Sequence, residues 1–209
     1  MNILMHMCCS NCAVYPVQTL QRRGISITGF WFNPNIHPYL EYKSRIDALR
    51  KLQDLWKLDV EYEDDYGLKE FLRNVVYNEE SRCEYCYTIR LERTAARAGE
   101  LKADAFTTSL LVSPYQKIDM IREIGLAMQE KYSVEFYFED FREGFREGRR
   151  SAGDLGLYRQ KYCGCIYSEM ERFGKSSGGA GSWPVSDTGR ENPPLLTPKG
   201  NIWNSSARH

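Results

Sequence analysis

The sequence lacks the features that would assign it directly to several common classes. It has no run of about 18 apolar residues, which a membrane-spanning helix needs, so we expect no membrane partner. It has neither G-x-G-x-x-G nor G-x-x-x-x-G-K-S/T, the usual signals of a nucleotide phosphate loop. Its start has neither the basic segment nor the long apolar stretch of a signal peptide. We therefore expect a cytoplasmic protein.

The chain also has no excess charge of either sign. Lys and Arg together number 28, and so do Asp and Glu, over 209 residues. This balance excludes a globally basic nucleic-acid coat protein and an acidic tail protein, but it leaves room for a local basic patch. The length fits one large domain, or one domain with a tail, and is too short for two full catalytic domains.

Short apolar runs alternate with helical spacing along most of the chain, which predicts an α/β fold. Strands are expected at Asn2–His6, Ser26–Phe32, Val60–Glu63, Ala105–Ser109 and Glu135–Glu139. Helices are expected between them, including one that starts at Ser113-Pro114. Together these elements predict a Rossmann-like, mainly parallel sheet of about five strands with helices on both faces.

The remainder of the chain has a different composition. After Asp140 the sequence becomes charged and glycine-rich, and we expect short helices and turns that cover a site. From about residue 175 it is rich in Ser, Gly, Pro and Asn, which is typical of disorder. We therefore expect a single catalytic domain over residues 1–174 and a disordered tail over residues 175–209.

Cysteine is the strongest chemical signal in the sequence. Seven cysteines fall in three groups, CCSNC, CEYC and CGC, at Cys8, Cys9, Cys12, Cys83, Cys86, Cys163 and Cys165. An odd number excludes a fully paired disulfide framework, and clustered thiols favour metal ligation over packing. An iron–sulfur site fits better than a four-cysteine zinc site or a lone C-x-x-C dithiol. Because one cluster needs four thiolates, the surplus suggests a second metal or thiols that contact substrate.

The topology predicts where these thiols meet. CCSNC lies between the first strand and the first helix, and ligands of open α/β sheets collect at the carboxyl ends of strands. A helix N-terminus there also lowers thiol pKa and favours metal binding. CEYC opens another helix, and Gly164 allows both thiols of CGC to turn toward one point. We expect the three groups to converge at one edge of the sheet.

Other candidate residues carry weaker signals. His6 ends the first strand, where a packed histidine is the favoured interpretation, and Asp140 is an acid, a metal ligand or, slightly favoured, a helix cap. Arginine beside aromatic side chains is typical of sites that bind unstacked RNA bases. Acidic residues interleave with the arginines, so the sequence leaves RNA contact open. The residues concerned form two arginine rows, Arg90, Arg93, Arg97 and Arg142, Arg146, Arg149, Arg150, with Tyr115, Tyr158 and Tyr162 as possible companions.

Four segments occur together in this chain: HMCCSNC, RCEYCYTIRLERTAARA, AFTTSLLVSPYQK and GLYRQKYCGCIYSEM. In combination they resemble the QueH family of epoxyqueuosine reductases, from about residue 2 to residue 173. The usual first motif of that family is closer to H-x-C-C-A-P-C. Ser10 and Asn11 replace the Ala-Pro pair here, and every thiol stays in place. Some members carry aspartate at the position of Cys12, which suggests a metal ligand that can be either group.

The resemblance implies a metalloenzyme that completes queuosine biosynthesis. Its substrate would be epoxyqueuosine at the wobble position of the tRNAs decoding Asp, Asn, His and Tyr, and the epoxide oxygen would be removed. It also implies a [4Fe-4S] cluster with a separate mononuclear iron nearby, and nothing in the sequence indicates a cobalamin site. No flavin or nicotinamide site is signalled, so an external donor such as a ferredoxin or flavodoxin is expected to supply electrons.

The resemblance also suggests roles for individual residues. Cys83, Cys86, Cys163 and Cys165 are assigned mainly to the cluster and Cys8, Cys9 and Cys12 to the separate iron, with interleaved ligation equally compatible. The candidate proton donors are Asp140, Tyr162 and, more weakly, His6. The candidates for binding the base are Tyr115, Tyr158, Arg159 and Arg90.

Three alternatives remain open at this stage. A cluster-dependent tRNA thiolase needs an ATP-binding glycine-serine loop after the first strand, where this chain has CCSNC, so it is disfavoured. A zinc-stabilised RNA-binding module predicts zinc without sulfide or redox activity. A thiol–disulfide oxidoreductase, in which a disulfide forms as a redox state, predicts activity without metal.

Overall fold

The computed structural model describes residues 1–174, and the predicted tail at 175–209 lies outside the described residues. Five strands run at β1 Asn2–His6, β2 Ser26–Trp31, β3 Asp59–Tyr62, β4 Ala105–Thr108 and β5 Glu135–Phe136. The α-helices are α1 Ser10–Arg22, α2 Tyr39–Trp56, α3 Leu68–Val75, α4 Arg82–Leu101, α5 Ile118–Tyr132, α6 Phe145–Asp154 and α7 Ile166–Phe173. Across residues 1–174, no helix is long and apolar enough to cross a membrane.

The strands form one parallel sheet in the order β3-β2-β1-β4-β5. The prediction of a Rossmann-like parallel sheet is therefore confirmed. The chain builds outward from β1 to β3 on one side and then crosses back to place β4 on the other side of β1. Such a reversal opens a crevice at the carboxyl end of the central strand, which is where ligands of this fold class bind.

The central strand is buried on both faces. Ile3, Leu4 and Met5 are consecutive and all fully buried, although neighbouring side chains of a strand point to opposite faces. Parallel sheets need helices on each side for this reason. Helix α1 packs against α2 and α6, and α4 packs against α5.

Two predicted boundaries were wrong. The helix expected from Ser113-Pro114 begins only at Ile118. Residues Ser109–Val112 first form a 3-10 turn. The Ser113 hydroxyl then accepts a hydrogen bond from the Tyr115 backbone, which closes a further turn before the helix. The last strand was predicted as Glu135–Glu139 but contains only two residues. The Tyr137 backbone N–H still donates to the Phe106 carbonyl at 2.9 Å, but the Tyr137 carbonyl accepts from the Thr107 hydroxyl, so the regular pairing of the two backbones ends there.

The glycine-rich segment after β5 packs closely on α1. At Gly144 an added Cβ would lie 2.1 Å from the Tyr15 ring, and at Gly148 one would lie 3.1 Å from the Tyr15 Cβ. A larger side chain at Gly144 would collide with the ring. The missing side chains therefore allow α6 to lie directly against the helix whose first turn carries CCSNC.

Candidate metal centre

Cys8, Cys9 and Cys12 form a buried thiol triad at the carboxyl end of β1. Their sulfur atoms all lie within 4.8 Å of one another, and the Sγ atoms of Cys8 and Cys9 are 3.8 Å apart. Cys9 is the N-cap of α1, and its sulfur accepts a hydrogen bond from the Cys12 backbone at 3.4 Å. The helix start therefore holds the Cys9 sulfur against the backbone of Cys12.

The triad shares its protons unequally. Hydrogen bonds with the Cys12 and Cys9 thiols lower the pKa of Cys8 well below its usual range. Burial raises the pKa of Cys9, and the hydrogen bond to Cys8 raises the pKa of Cys12. The geometry thus favours one thiolate with two thiols, and a metal bound here would displace the remaining protons.

The donor set and its spacing fit a soft metal ion. Thiolate sulfur is the ligand type that selects iron–sulfur clusters, zinc and Cu(I). Two thiolates bound at roughly 2.3 Å to one tetrahedral metal lie about 3.8 Å apart, which matches the Cys8–Cys9 separation. The triad can therefore bind a metal with little rearrangement.

The other four cysteines lie on two segments that meet. Cys83 and Cys86 lie about one turn apart at the start of α4, and Cys163 and Cys165 flank Gly164. Cys86 and Cys165 pack in one small buried cluster with Phe71 and Val75, while Cys163 is exposed. Burial raises the pKa of Cys86 to about 12. CEYC and CGC thus contact each other, although they lie far apart in the chain.

Gly164 holds the CGC turn against the loop that follows β2. Its φ of +147° is in a region that only glycine adopts readily, and its carbonyl accepts a hydrogen bond from the His37 backbone at 2.8 Å. A Cβ at this position would meet Arg45 and Ile36 at 3.3 Å. Any side chain at position 164 would therefore strain the turn that carries Cys163 and Cys165.

Two buried arginines lie next to the thiols. The Arg45 Nε donates to Glu41 at 2.7 Å, and its Nη atoms donate to the carbonyls of Cys163 and Tyr162 at 2.8 and 2.9 Å. The Arg90 Nη2 donates to the Cys86 sulfur at 3.1 Å. Each side chain is only 1% exposed. Arg90 therefore offers a fixed positive charge to the Cys86 sulfur, whereas Arg45, which is paired with Glu41, holds the backbone next to Cys163.

Sequence reasoning missed Arg45 and gave Arg90 a different role. Arg90 was predicted to bind the base, but the structure places it inside the protein against Cys86. Its neighbours in the predicted row, Arg93 and Arg97, pair with glutamates of β3 and its following loop, Glu63 and Glu61. The four-residue spacing of Cys86 and Arg90 on one helix was an available signal.

Two glutamines that sequence reasoning also missed contact the sulfurs. The Gln160 amide donates to Cys9 at 2.9 Å and lies 3.5 Å from Cys12, and its oxygen accepts from Asn11 at 2.6 Å. The Gln116 amide lies 3.3 Å from the Cys163 sulfur. Gln116 lies in the SPYQK segment, beside Tyr115, and Gln160 lies in the YRQKYCGC segment, near CGC. These positions were the only sequence signals for the two contacts.

The candidate proton donors have different surroundings. His6 is fully buried with Thr108 and Asn33 on its two ring nitrogens, and burial lowers its pKa to about 4. Asp140 is half-exposed, and its hydrogen bonds with Arg142 lower its pKa; it accepts from the Arg142 backbone, as a cap does. The Tyr162 hydroxyl donates to the His37 carbonyl, and burial raises its pKa.

The candidate base-binding residues are divided between surface and interior. Tyr115 is 79% exposed with its ring edge-on to Phe145, and Arg159 borders the same surface cavity. Tyr158 is partly exposed, but its hydroxyl donates to Glu41. The structure therefore brings Tyr115 and Arg159 together and separates them from Arg90.

Replacing Gln160 with glutamate is expected to weaken metal binding by the triad roughly 10- to 100-fold, the usual effect of losing a group that supports a metal ligand. Cys9 and Cys12 would be thiolates when they bind a metal, and a carboxylate at position 160 would repel them, whereas the amide donates. Competition with a chromophoric chelator measures the change. The control is Gln21→Glu, which adds the same charge at the exposed far end of α1. Equal affinity in both variants would exclude this role for Gln160.

The fold and the site together define a class of protein. This is an α/β protein with a parallel sheet, and the thiol triad at the carboxyl end of its central strand is suited to binding a metal through thiolates. The family profile described as epoxyqueuosine reductase QueH matches residues 3–171. The chain therefore belongs to the epoxyqueuosine reductase QueH family, as the sequence resemblance predicted.

Individual relatives agree with this assignment. The epoxyqueuosine reductase QueH of Dehalococcoides mccartyi is 39% identical over 173 residues, which cover 83% of this chain and 95% of that protein. The protein of the same name from Thermotoga maritima is 36% identical over 180 residues, covering 81% and 91%. Among solved structures, a predicted tRNA methyltransferase subunit from Methanocaldococcus jannaschii aligns at 12% identity and TM-score 0.47, covering 73% of this chain and 74% of that one.

Proposed function

We propose that this chain reduces epoxyqueuosine to queuosine at the wobble position of tRNA. The observation that carries the proposal is the buried thiol triad at the crevice of a chain that belongs to the QueH family. The tRNAs would be those decoding Asp, Asn, His and Tyr. The reaction removes the epoxide oxygen as water and consumes two electrons and two protons.

The proposed cofactors are a [4Fe-4S] cluster and a separate mononuclear iron. Cys83, Cys86, Cys163 and Cys165 would ligate the cluster, and the triad of Cys8, Cys9 and Cys12 would ligate the iron. The spacing of the triad and the packing of Cys86 against Cys165 support this division. When bound, these groups supply electrons singly and a Lewis acid for the epoxide oxygen.

The chain's own residues would control charge and protons around the reaction. Arg90 would offset the thiolate charge from a fixed buried position, and Arg45 would hold the backbone carbonyls of Tyr162 and Cys163 in place. Tyr162 is the favoured proton donor of the three candidates, because its phenol stays protonated at neutral pH and it directly precedes Cys163. His6 is neutral at that pH and positions the strand end, whereas Asp140 is ionised and paired with Arg142.

The remaining parts of the proposal concern partners and location. Electrons would come from an external donor such as a ferredoxin or flavodoxin, and the protein would act in the cytoplasm. Residues 1–174 would form the single catalytic domain. Tyr115 and Arg159 border the same exposed cavity and would contact the tRNA there.

Anaerobically purified protein is expected to contain about five irons and four acid-labile sulfides per chain, as one four-thiolate cluster and one extra site require. With dithionite as reductant, it is then expected to convert epoxyqueuosine in tRNA to queuosine, measured by mass spectrometry of the nucleosides. Protein with its iron removed is the control. Zinc without sulfide, together with no conversion, would support the zinc-stabilised RNA-binding module instead.

A further inference from the structure

Parts of the two arginine rows have opposite electrostatic surroundings, although Arg142 of the second row is paired with Asp140. Arg93 and Arg97 are paired with carboxylates. By contrast, no carboxylate within residues 1–174 pairs with Arg146, Arg149, Arg150 or Arg159, all of which are exposed. Although the total charge of the chain is balanced, one surface therefore carries four guanidinium groups that no carboxylate of residues 1–174 neutralises.

These four arginines line one cavity of about 470 Å³. Pro114, Tyr115 and Phe145 complete its lining. The rings of Tyr115 and Phe145 are edge-to-face, with centroids 5.8 Å apart. The Arg149 guanidinium lies over the Phe145 ring at 5.5 Å. Glu147, the acidic residue among the arginines of α6, borders a different cavity together with Gln18 and Gln21. The groove is therefore basic and carries an exposed aromatic ring.

Both walls of this groove are continuous with residues that contact the thiols. Tyr115 directly precedes Gln116, whose amide is 3.3 Å from the Cys163 sulfur. Arg159 directly precedes Gln160, whose amide donates to Cys9 at 2.9 Å. The chain thus passes from the groove to the sulfurs within one residue on each side. A molecule seated in the groove lies next to the thiol site.

We propose that this groove binds the phosphate backbone of RNA beside the nucleotide that enters the thiol site. Arg146, Arg149, Arg150 and Arg159 bind phosphates, and the exposed ring of Tyr115 stacks on a neighbouring base. The inference rests on the proposed function and adds to it the surface that recognises the substrate. Guanidinium groups with an exposed aromatic ring match nucleic acid, because they provide both phosphate ligands and a stacking surface.

The test uses an anticodon stem–loop RNA with an unmodified guanosine at the wobble position, which binds without reacting. Compared with the wild-type holoprotein, the Arg146→Gln/Arg149→Gln variant is expected to lose at least about 10-fold in affinity at 0.1 M salt (order of magnitude), with the slope of log K against log salt smaller by about two. Tyr115→Ala is expected to lose about 5- to 100-fold, and Tyr115→Phe to keep most affinity. Fluorescence anisotropy measures all of these.

The matched control is Arg73→Gln/Arg122→Gln, which removes two exposed arginine charges from α3 and α5 and is expected to leave affinity within about 2-fold. Arg149→Lys retains the charge and is expected to retain most of the salt slope, which separates phosphate binding from a folding defect. Equal affinity and slope in the groove variant and the control variant would overturn the proposal.

Two further outcomes separate this inference from its alternatives. If the groove variant binds RNA normally but loses turnover only with a protein electron donor, and not with dithionite, the groove docks an acidic donor protein and the RNA proposal is wrong. If the wild-type protein binds RNA through the groove but never converts epoxyqueuosine, the groove assignment stands and the proposed function fails.

Discussion

Cys9→Ala is expected to remove the metal from the thiol triad and to reduce epoxyqueuosine turnover to the level of the reaction without enzyme. Cys9 is the central member of the triad, because its sulfur is 3.8 Å from that of Cys8 and accepts hydrogen bonds from the Cys12 backbone and the Gln160 amide. Its removal leaves two thiols where three are available for one metal. Iron content and single-turnover conversion with dithionite measure the two losses.

Ser10→Ala is the matched control, because it removes one atom from the same turn of α1. The Ser10 hydroxyl is buried without a hydrogen-bond partner among the described residues, so its loss is expected to leave metal content and turnover nearly unchanged.

A second pair of variants tests directly whether Cys12 is a metal ligand: Cys12→Asp is expected to retain iron, and Cys12→Ala is not. Full activity in Cys12→Ala would contradict the two-metal arrangement.

Arg45→Met is expected to lower the free energy of unfolding by about 3–5 kcal/mol, the usual cost of removing one partner of a buried ion pair. Glu41 would remain buried without its cation, and the carbonyls of Tyr162 and Cys163 would lose their donors. Urea unfolding of the reduced, metal-free protein measures the change. The holoprotein is also expected to contain less iron, because Arg45 anchors the segment that carries Cys163 and Cys165.

Arg50→Met provides the comparison on the same helix. Arg50 pairs with Asp47 and Asp64, but its side chain is 44% exposed, and exposed pairs contribute about 0–1 kcal/mol. The double variant Glu41→Leu/Arg45→Met is expected to recover part of the stability, since it leaves no unpaired buried charge. If Arg45→Met were no more destabilising than Arg50→Met, Arg45 would not stabilise this region.

Local sequence patterns were sufficient for the elements of the fold. The apolar run at Asn2–His6 and the aromatic run from Ser26 predicted β1 and β2 nearly to the residue. These predictions hold because β-branched and aromatic residues fit a buried parallel strand whatever their distant partners. Ser113-Pro114 led to a wrong prediction of where α5 begins, because the Ser113 hydroxyl closes a turn before α5 instead of capping the helix.

In the candidate site, too, local contacts could be predicted from the sequence and long-range contacts could not. The spacing of CCSNC was enough to predict grouped thiols, because Cys9 and Cys12 meet through a helix N-cap, which is a local structure. The contact of Gln160 with Cys9 joins residues 151 apart in the chain, and the bond from Arg45 to Cys163 spans 118. No pattern of neighbouring residues encodes contacts of that length.

The sequence by itself determined the parallel α/β sheet and the three thiol groups, since each depends on residues close together in the chain, and the family, since four short segments occur together. Only the tertiary structure decided which charges remain available. Arg93 and Arg97 are neutralised by Glu63 and Glu61, which lie 30 and 36 residues away, whereas the arginines of α6 meet no such partner among the described residues. The two rows look alike in sequence, but electrostatic pairing depends on distance in space, and folding sets that distance.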